Sequence, residues 1–118
     1  MELGSFKLIV AMVKPQLTDD VVKAAKNAGA SGATILPASG TGLREAKTFF
    51  GLTLDVQTDV VLFLLPQCLV DRVLKAIEAS GRFAEPGTGV AFTLPVDQAI
   101  GLESQTQHFM AEACKREE

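Results

Sequence analysis

The chain has 118 residues, of which 47% are hydrophobic and 21% are charged, and its mean hydropathy is +0.26. This is the size of one domain, and the hydrophobic content excludes an intrinsically disordered chain, which requires low hydrophobicity with high net charge. The net charge of −3 argues against a nucleic-acid partner, because binding to phosphates depends on an excess of Lys and Arg.

The sequence predicts a cytoplasmic protein. Its longest aliphatic run, residues 60–65, ends at Pro66 and is far short of the roughly 20 residues that a transmembrane helix requires. The first residues lack the basic start and the small-residue cleavage site of a signal peptide. Cys68 and Cys114 are far apart and fit neither a disulfide framework nor a Cys-x-x-Cys site, so free, reduced thiols are expected.

The first half of the chain predicts a strand, a helix and a second strand. Lys7–Val13 is a continuous aliphatic run, which is typical of a strand buried on both faces. Thr18 is predicted to cap a helix with one apolar stripe, and Gly29 is predicted to end it. Ala33–Ala38 then predicts a second strand, at a sheet edge because Pro37 cannot donate to an interior ladder.

The second half predicts a loop, a long strand, a second helix and a last strand. Residues 43–51 have no settled period and predict a loop with one helical turn. A third strand is predicted from Leu52 to Leu65. A helical stripe over Val70–Ile77 follows, with Gly81 as its stop, and Val90–Leu94 predicts the fourth strand.

The order β-α-β-β-α-β is typical of an α+β, ferredoxin-like sandwich, in which an antiparallel sheet carries two helices on one face. The first strand, however, is apolar on both faces, since Leu8 and Met12 point to one side and Ile9 to the other. Soluble monomers rarely expose an apolar patch of that size. We therefore expect a homo-oligomer with inward-facing sheets. The elements predict one domain over residues 1–102, followed by a polar tail over residues 103–118.

Two Gly-Thr-Gly segments, at residues 40–42 and 87–89, are the strongest candidates for a ligand site. Right-handed connections place both on one rim of the sheet, at opposite edges about 14 Å apart, so they would converge only across a subunit boundary. Their N–H groups, with the hydroxyls of Thr41 and Thr88, suit an anion. Ordinary turn chemistry is the alternative explanation. Neither segment continues as a Walker A motif, which argues against a nucleotide hydrolase.

The residues predict neither a catalytic set nor a metal site. His108 is the only histidine, and its spacing from Cys114 in a polar tail favours a solvated His and a free Cys over a nucleophile or a metal ligand. Asp19 and Asp20 are explained by the dipole of the first helix. We therefore expect a protein that is not an enzyme.

Taken in order, the motifs resemble the PII signal-transduction proteins over residues 7–102. The resemblance rests on Lys14-Pro15 after the first strand, on Gly-x-Gly after the second, and on a further Gly-x-Gly followed by a strand and Pro-Val-Asp-Gln-Ala-Ile over residues 95–100. It implies a trimer of ferredoxin-like subunits that binds adenine nucleotides in clefts between subunits and regulates transporters, enzymes or transcription factors.

The chain also departs from the family pattern. The family's long T-loop carries a modified Tyr, whereas residues 43–58 are shorter and the chain has no Tyr, which excludes uridylylation there. The family's phosphate-binding Lys and two Arg residues correspond to Val90, Gly101 and Glu103. A triphosphate without those cations would bind several kcal/mol more weakly.

The resemblance keeps the base and ribose end of the site. The predicted ligand-binding residues are Thr34, Gly40, Thr41, Gly42, Leu64 through its backbone, Gly87, Thr88 and Gly89. Arg44, Lys47 and Arg82 are candidates to replace the missing charge. The expected ligand is AMP, ADP, a cyclic nucleotide or another metabolite rather than ATP with 2-oxoglutarate, and no covalent cofactor is expected.

The leading hypothesis is a PII-like homotrimer whose bound effector reshapes the loop Leu43–Gln57 and alters docking to a protein target, such as a membrane transporter. Phe49 and Phe50 are candidates for that contact, with burial as the equal alternative. A small acyl-phosphatase-type enzyme using Arg44 is one alternative function. The other is a metal-binding trimer that resembles the divalent-ion tolerance proteins, with His108 and Cys114 as ligands.

Overall fold

The strand and helix patterns of the sequence fold into a four-stranded antiparallel sheet with two helices on one face. The computed structural model describes residues 5–40, 48–49, 52–53, 56–102 and 114. Its elements are β1 Phe6–Val13, a 3-10 turn Pro15–Leu17, α1 Thr18–Asn27, β2 Thr34–Gly40, β3 Thr48–Phe49, β4 Leu52–Thr53, β5 Val56–Pro66, α2 Gln67–Ser80 and β6 Gly89–Val96. The predicted α+β, ferredoxin-like fold is confirmed.

The strand order of the main sheet is β2-β5-β1-β6. Each neighbouring pair is antiparallel, so β1 and β2 run in the same direction. Val13 at the end of β1 pairs with Gly89, and Gly40 at the end of β2 pairs with Val56. The end of β2 and the start of β6 therefore lie on one rim at opposite edges of the sheet, as the connection rule predicted.

The core lies between the helices and one face of the sheet. Phe63 and Ile9 are opposite each other in β5 and β1 and are fully buried. Val21 of α1 and Val73 and Ile77 of α2 close over them, also fully buried. Each large apolar side chain buried in this way contributes about 1.5–3 kcal/mol to folding.

The opposite face of the sheet is also apolar and carries no helix of the described residues. The exposed fractions on it are 48% for Leu36, 50% for Val90, 40% for Phe92 and 46% for Leu94. The register continues this surface across the central strands through half-buried residues of β1 and β5, among them Leu8, Met12, Val60, Leu62 and Leu64. The prediction of two apolar faces is thus confirmed, and a surface of this kind is typical of an interface between subunits.

Two local predictions were wrong. Thr18 is not the N-cap of α1, because Pro15 begins a 3-10 turn and Thr18 already has helical backbone angles. Its hydroxyl instead donates to Asp59 Oδ2 at 2.6 Å and fastens the start of α1 to β5. The third strand begins at Val56 and not at Leu52, because Leu52–Thr53 pairs with Thr48–Phe49 in a separate two-stranded ladder.

The sequence predicted a loop with one helical turn over residues 43–51. Only Thr48–Phe49 of that stretch lies within the described residues, and it is extended. Alternation of apolar and polar residues at Leu52–Gln57 continues directly into β5, so the sequence offers no sign of where the ladder ends.

The expectation of free thiols was also wrong, because Cys68 and Cys114 form a disulfide. Their Cα atoms are 5.9 Å apart, which is an ordinary separation for this bond. Sequence spacing gave no sign of the pair, since 46 positions separate the two residues and only the fold brings them together.

Neither helix of the described residues has the length and apolarity needed to cross a bilayer.

Candidate ligand site

A cavity of about 350 Å³ opens on the helix-free face at the β2 edge. Thr34 is the first residue of β2 and pairs with Leu62, while Leu64 pairs with Leu8 in the adjacent strand. The segment that leads into β2 forms one wall. The lining residues are Leu8, Ser31, Gly32, Ala33, Thr34, Leu62, Leu64 and Leu102. The structure thus brings together Thr34 and Leu64, two of the residues predicted to contact a ligand. We refer to this cavity as the β2-edge half-site.

The cavity suits an apolar ring with a polar edge. Its walls are mostly aliphatic, and the hydroxyls of Ser31 and Thr34 supply polar groups that can donate or accept hydrogen bonds. Its volume lies within the range of small-molecule pockets, which are mainly apolar with a few placed polar groups. A planar heterocycle is the kind of group that such a cavity holds.

Gly40 lies far from that cavity although it belongs to the same strand. It is six positions from Thr34, which corresponds to about 20 Å along an extended strand. A Cβ atom built at Gly40 has no neighbour within 4 Å, so packing does not require a glycine there. Thr41 and Gly42 lie outside the described residues. Only a long ligand would contact both Thr34 and Gly40 of one subunit.

The second Gly-Thr-Gly segment forms a tight loop before β6. Gly87 has a φ of +79°, a conformation that side chains with Cβ atoms rarely adopt. At Gly89 a Cβ atom would collide with the Met12 carbonyl oxygen and the Phe83 ring. Both glycines are therefore explained by the backbone of this loop, whether or not a ligand binds there.

Thr88 is used inside the same loop. It is 5% exposed, and its hydroxyl donates to the Arg82 carbonyl oxygen at 2.6 Å, with the Glu85 carbonyl at 2.9 Å as the alternative acceptor. A hydroxyl has one proton to donate, so in this structure that proton is held by the loop. The backbone N–H groups of the segment remain the candidate anion donors. The Thr88 oxygen can still accept a hydrogen bond, so the predicted ligand role of this side chain stays a prediction.

Arg82 is the cation that the structure places beside this loop. Its backbone is left-handed, with a φ of +57°, and its carbonyl accepts both the Thr88 hydroxyl and, at 2.9 Å, the Glu85 N–H. Arg82 is exposed. The residues Arg82–Gly89 form what we call the β6-edge half-site. Arg44 and Lys47, the other two candidate cations, lie outside the described residues.

The two half-sites cannot meet within one subunit. They lie at opposite edges of a four-stranded sheet, which places them about 14 Å apart across the strands alone. At two of the positions where the resemblance implies phosphate-binding cations, Val90 is half exposed and Gly101 is exposed, and neither carries a charge. At this separation one small ligand could scarcely contact both half-sites of a single chain.

The metal hypothesis loses one of its two ligands. Cys114 is bonded to Cys68 and has no thiolate to offer, and His108 lies outside the described residues. Among the described residues, no group of three or more His, Cys, Asp and Glu side chains is placed to hold a metal ion. A second cavity of about 300 Å³, between α2 and β6, contains none of the predicted site residues.

Sequence comparison places these features in a family. Residues 6–106 match the family described as nitrogen regulatory protein P-II. The chain is 30% identical over 106 residues to the nitrogen regulatory protein GlnK2 of Haloferax mediterranei, covering 86% of each chain. It is 27% identical to the nitrogen regulatory protein P-II of Rhizobium etli and 29% identical to that of Haemophilus influenzae, covering in both cases 83% of this chain and 92% of the relative.

The chain therefore belongs to the P-II family of nitrogen regulatory proteins. Proteins of this family are signalling proteins that regulate partner proteins and form trimers. The resemblance inferred from Lys14-Pro15 and the two Gly-x-Gly segments is confirmed.

Proposed function

We propose that this protein is a cytoplasmic homotrimer that binds an adenine nucleotide between subunits and uses the bound state to control a partner protein. The observation that carries the proposal is the cavity of about 350 Å³ at the β2 edge, which Thr34 and Leu64 both line. These are the positions at which the family resemblance predicted base and ribose contacts. The lining of the cavity thus supports the proposal that the adenine ring binds there.

The apolar sheet face supports the trimer. Leu36, Val90, Phe92 and Leu94 are each 40–50% exposed on the face without helices. Burying this face against other copies removes it from water at about 25 cal/mol per Å². Assembly through this face is also the proposed way in which the β2 edge of one subunit comes beside the β6 edge of another. The trimer and the intersubunit site are therefore one proposal.

The charge of the β6-edge half-site supports a ligand with few phosphates. Arg82 is the cation beside the loop, while Val90 and Gly101 replace cations of the family pattern. Each phosphate that enters a cleft without a cation loses its hydration, and no ion pair offsets that cost in binding free energy. We therefore favour AMP, ADP or a cyclic nucleotide over ATP.

Calorimetric titration with AMP, ADP, ATP, cyclic AMP and cyclic di-AMP tests the ligand. Thr34→Phe fills the β2-edge half-site, and Ile35→Phe is the matched control because Ile35 is the next residue of β2, on the other face of the sheet and 43% exposed. We expect micromolar binding of one nucleotide, at least a tenfold loss in Thr34→Phe and little change in Ile35→Phe. Equal binding by both variants would place the ligand elsewhere.

A second variant tests the phosphate end. Arg82→Ala should weaken the binding of ADP about tenfold more than the binding of adenosine. The reason is that a charge-assisted hydrogen bond to a phosphate contributes about 1.5 kcal/mol or more. Light scattering on each variant checks that the trimer is intact. Absence of binding by every nucleotide, with the trimer intact, would reject the nucleotide and leave a protein-docking trimer or a sensor of another metabolite.

The loop between β2 and β5 is the proposed contact with the partner, which we take to be a transporter or an enzyme of nitrogen or carbon metabolism. Within that loop Thr48–Phe49 pairs with Leu52–Thr53 in a short antiparallel ladder, which is a defined surface for such a contact. Affinity purification with and without the nucleotide, using the intact protein and a Phe49→Ser variant, tests this docking. A partner retained equally by the variant would exclude this ladder as the contact.

A further inference from the structure

We propose that Cys68 and Cys114 form a reversible redox cross-link, made and broken by exchange with low-molecular-weight disulfides and thiols such as those of glutathione. The modification site is the pair itself. It fastens residue 114 to the first turn of α2, and it does so independently of any nucleotide.

The geometry favours a bond that forms without rearrangement of α2. Cys68 is the second residue of that helix, and its Cα lies 5.9 Å from that of Cys114. The helix start is held in place on both sides of Cys68, because the Gln67 N–H donates to the Ser5 carbonyl at 3.0 Å and Leu69 is fully buried. The partner sulfur therefore meets a fixed position.

The two cysteines differ in accessibility, and this assigns them different roles. Cys68 is exposed, whereas Cys114 is 2% exposed and belongs to the core cluster. Cys68 is thus the residue that an external disulfide or thiol reaches first, and Cys114 is the resolving residue.

The exchange balances as two thiol–disulfide steps. The Cys68 thiolate attacks one sulfur of glutathione disulfide, breaks its S–S bond and releases one glutathione thiolate, leaving a mixed disulfide. The Cys114 thiolate then attacks the Cys68 sulfur and releases the second glutathione. Two protein thiols are oxidised and one glutathione disulfide is reduced to two thiols. Reduction runs through the same steps in reverse, starting at the exposed Cys68 sulfur.

The cross-link has a measurable effect because it closes a long loop. With 46 positions between the two cysteines, the bond removes much of the freedom of the unfolded chain. For a domain of this size the oxidised protein should melt about 10 °C above the reduced protein. Cys68→Ser and Cys114→Ser should both melt with the reduced protein under either condition.

Peptide mapping of the intact protein tests the pairing directly. Trypsin releases Cys68 in the peptide 48–72 and Cys114 in the peptide 83–115. After incubation with glutathione disulfide these peptides should be joined, and after a thiol reductant they should separate. Trapping with a small excess of oxidant should give Cys114→Ser as a stable mixed disulfide with glutathione, and Cys68→Ser should react more slowly.

Three results would overturn the proposal. The first is the absence of the joined peptides at every ratio of glutathione disulfide to glutathione. The second is a cross-link found only between chains, which a non-reducing gel shows as a covalent dimer that both Ser variants lose. The third is a joined pair that a thiol reductant does not separate in the folded protein. None of these measurements uses a nucleotide, so their failure leaves the proposed ligand site untouched.

Discussion

Replacing Thr88 by Val separates the two roles that this residue can have. The sequence predicted Thr88 as a ligand donor, whereas the structure holds its hydroxyl inside the Arg82–Gly89 loop. Valine keeps nearly the same shape and removes only the hydroxyl. The substitution therefore asks whether that hydroxyl stabilises the loop or contacts the ligand.

The expected loss of stability can be worked out from the contacts of the loop. The hydroxyl donates to the Arg82 carbonyl at 2.6 Å, and Thr88 is 5% exposed, so water does not readily replace the bond. The Arg82 carbonyl keeps the Glu85 N–H at 2.9 Å, so it loses one partner and not both. The net cost is about 1–2 kcal/mol in the free energy of unfolding. This corresponds to a fall of about 3–8 °C in Tm.

Urea unfolding at a fixed protein concentration measures this change, since oligomerisation makes stability depend on concentration. Thr93→Val in β6 is the matched control and should change the free energy of unfolding by less than about 0.5 kcal/mol. The reasoning fails if Thr88→Val unfolds at the same urea concentration as the parent protein. If Thr88→Val has unchanged stability and binds nucleotide at least tenfold more weakly, the Thr88 hydroxyl contacts the ligand, and its hydrogen bond within the loop contributes nothing to stability.

Three further substitutions test the packing of the sheet. Gly89→Ala should lower the free energy of unfolding by about 1–3 kcal/mol, measured by thermal unfolding, because the new Cβ atom meets a strand carbonyl. Gly32→Ala is the control and should change little, because the space around Gly32 is open. Equal effects of the two substitutions would contradict the close packing of β6. Thr18→Val should lower the free energy of unfolding by about 1–2 kcal/mol, measured in urea, because the Asp59 carboxylate loses its hydrogen-bond donor. An unchanged midpoint would show that this hydrogen bond adds nothing to stability. Phe92→Glu should convert the proposed trimer to monomers in light scattering, because it places a charge on the apolar face. A variant that stays trimeric would exclude that face as the interface.

The sequence predicted the strands and helices because their signals are local. The aliphatic run of β1 and the apolar stripes of α1 and α2 each identify an element without reference to the rest of the chain. Chain order and the handedness of connections then predicted the strand order and the common rim of Gly40 and Gly89. Among the predictions of strands and helices, the wrong ones concern where an element begins. The Thr18 cap and the start of the third strand depend on contacts with Asp59 and with the β3–β4 ladder.

The residues of the candidate site also divide into those that the sequence predicted and those whose contacts only the fold revealed. Thr34 and Leu64 were found through a resemblance in motif order, and the structure places both on one cavity. The thiols were misjudged because the disulfide partner of each is set by tertiary packing, and the same packing sets the hydrogen-bond partner of the Thr88 hydroxyl, whose ligand role stays a prediction. Arg82 gave no signal beyond its charge, since its place at the base of the loop comes from the fold around α2 and β6.

The sequence by itself determined the fold class, the apolar character of both sheet faces and the family, because each follows from patterns that are repeated or ordered along the chain. The tertiary structure alone decided which polar groups are already used, which glycines the backbone requires and which cysteines meet. These depend on distances between residues that lie far apart in the chain, and no local pattern encodes such a distance. For this protein, that difference separates recognising a P-II subunit from knowing which of its side chains remain available to a ligand.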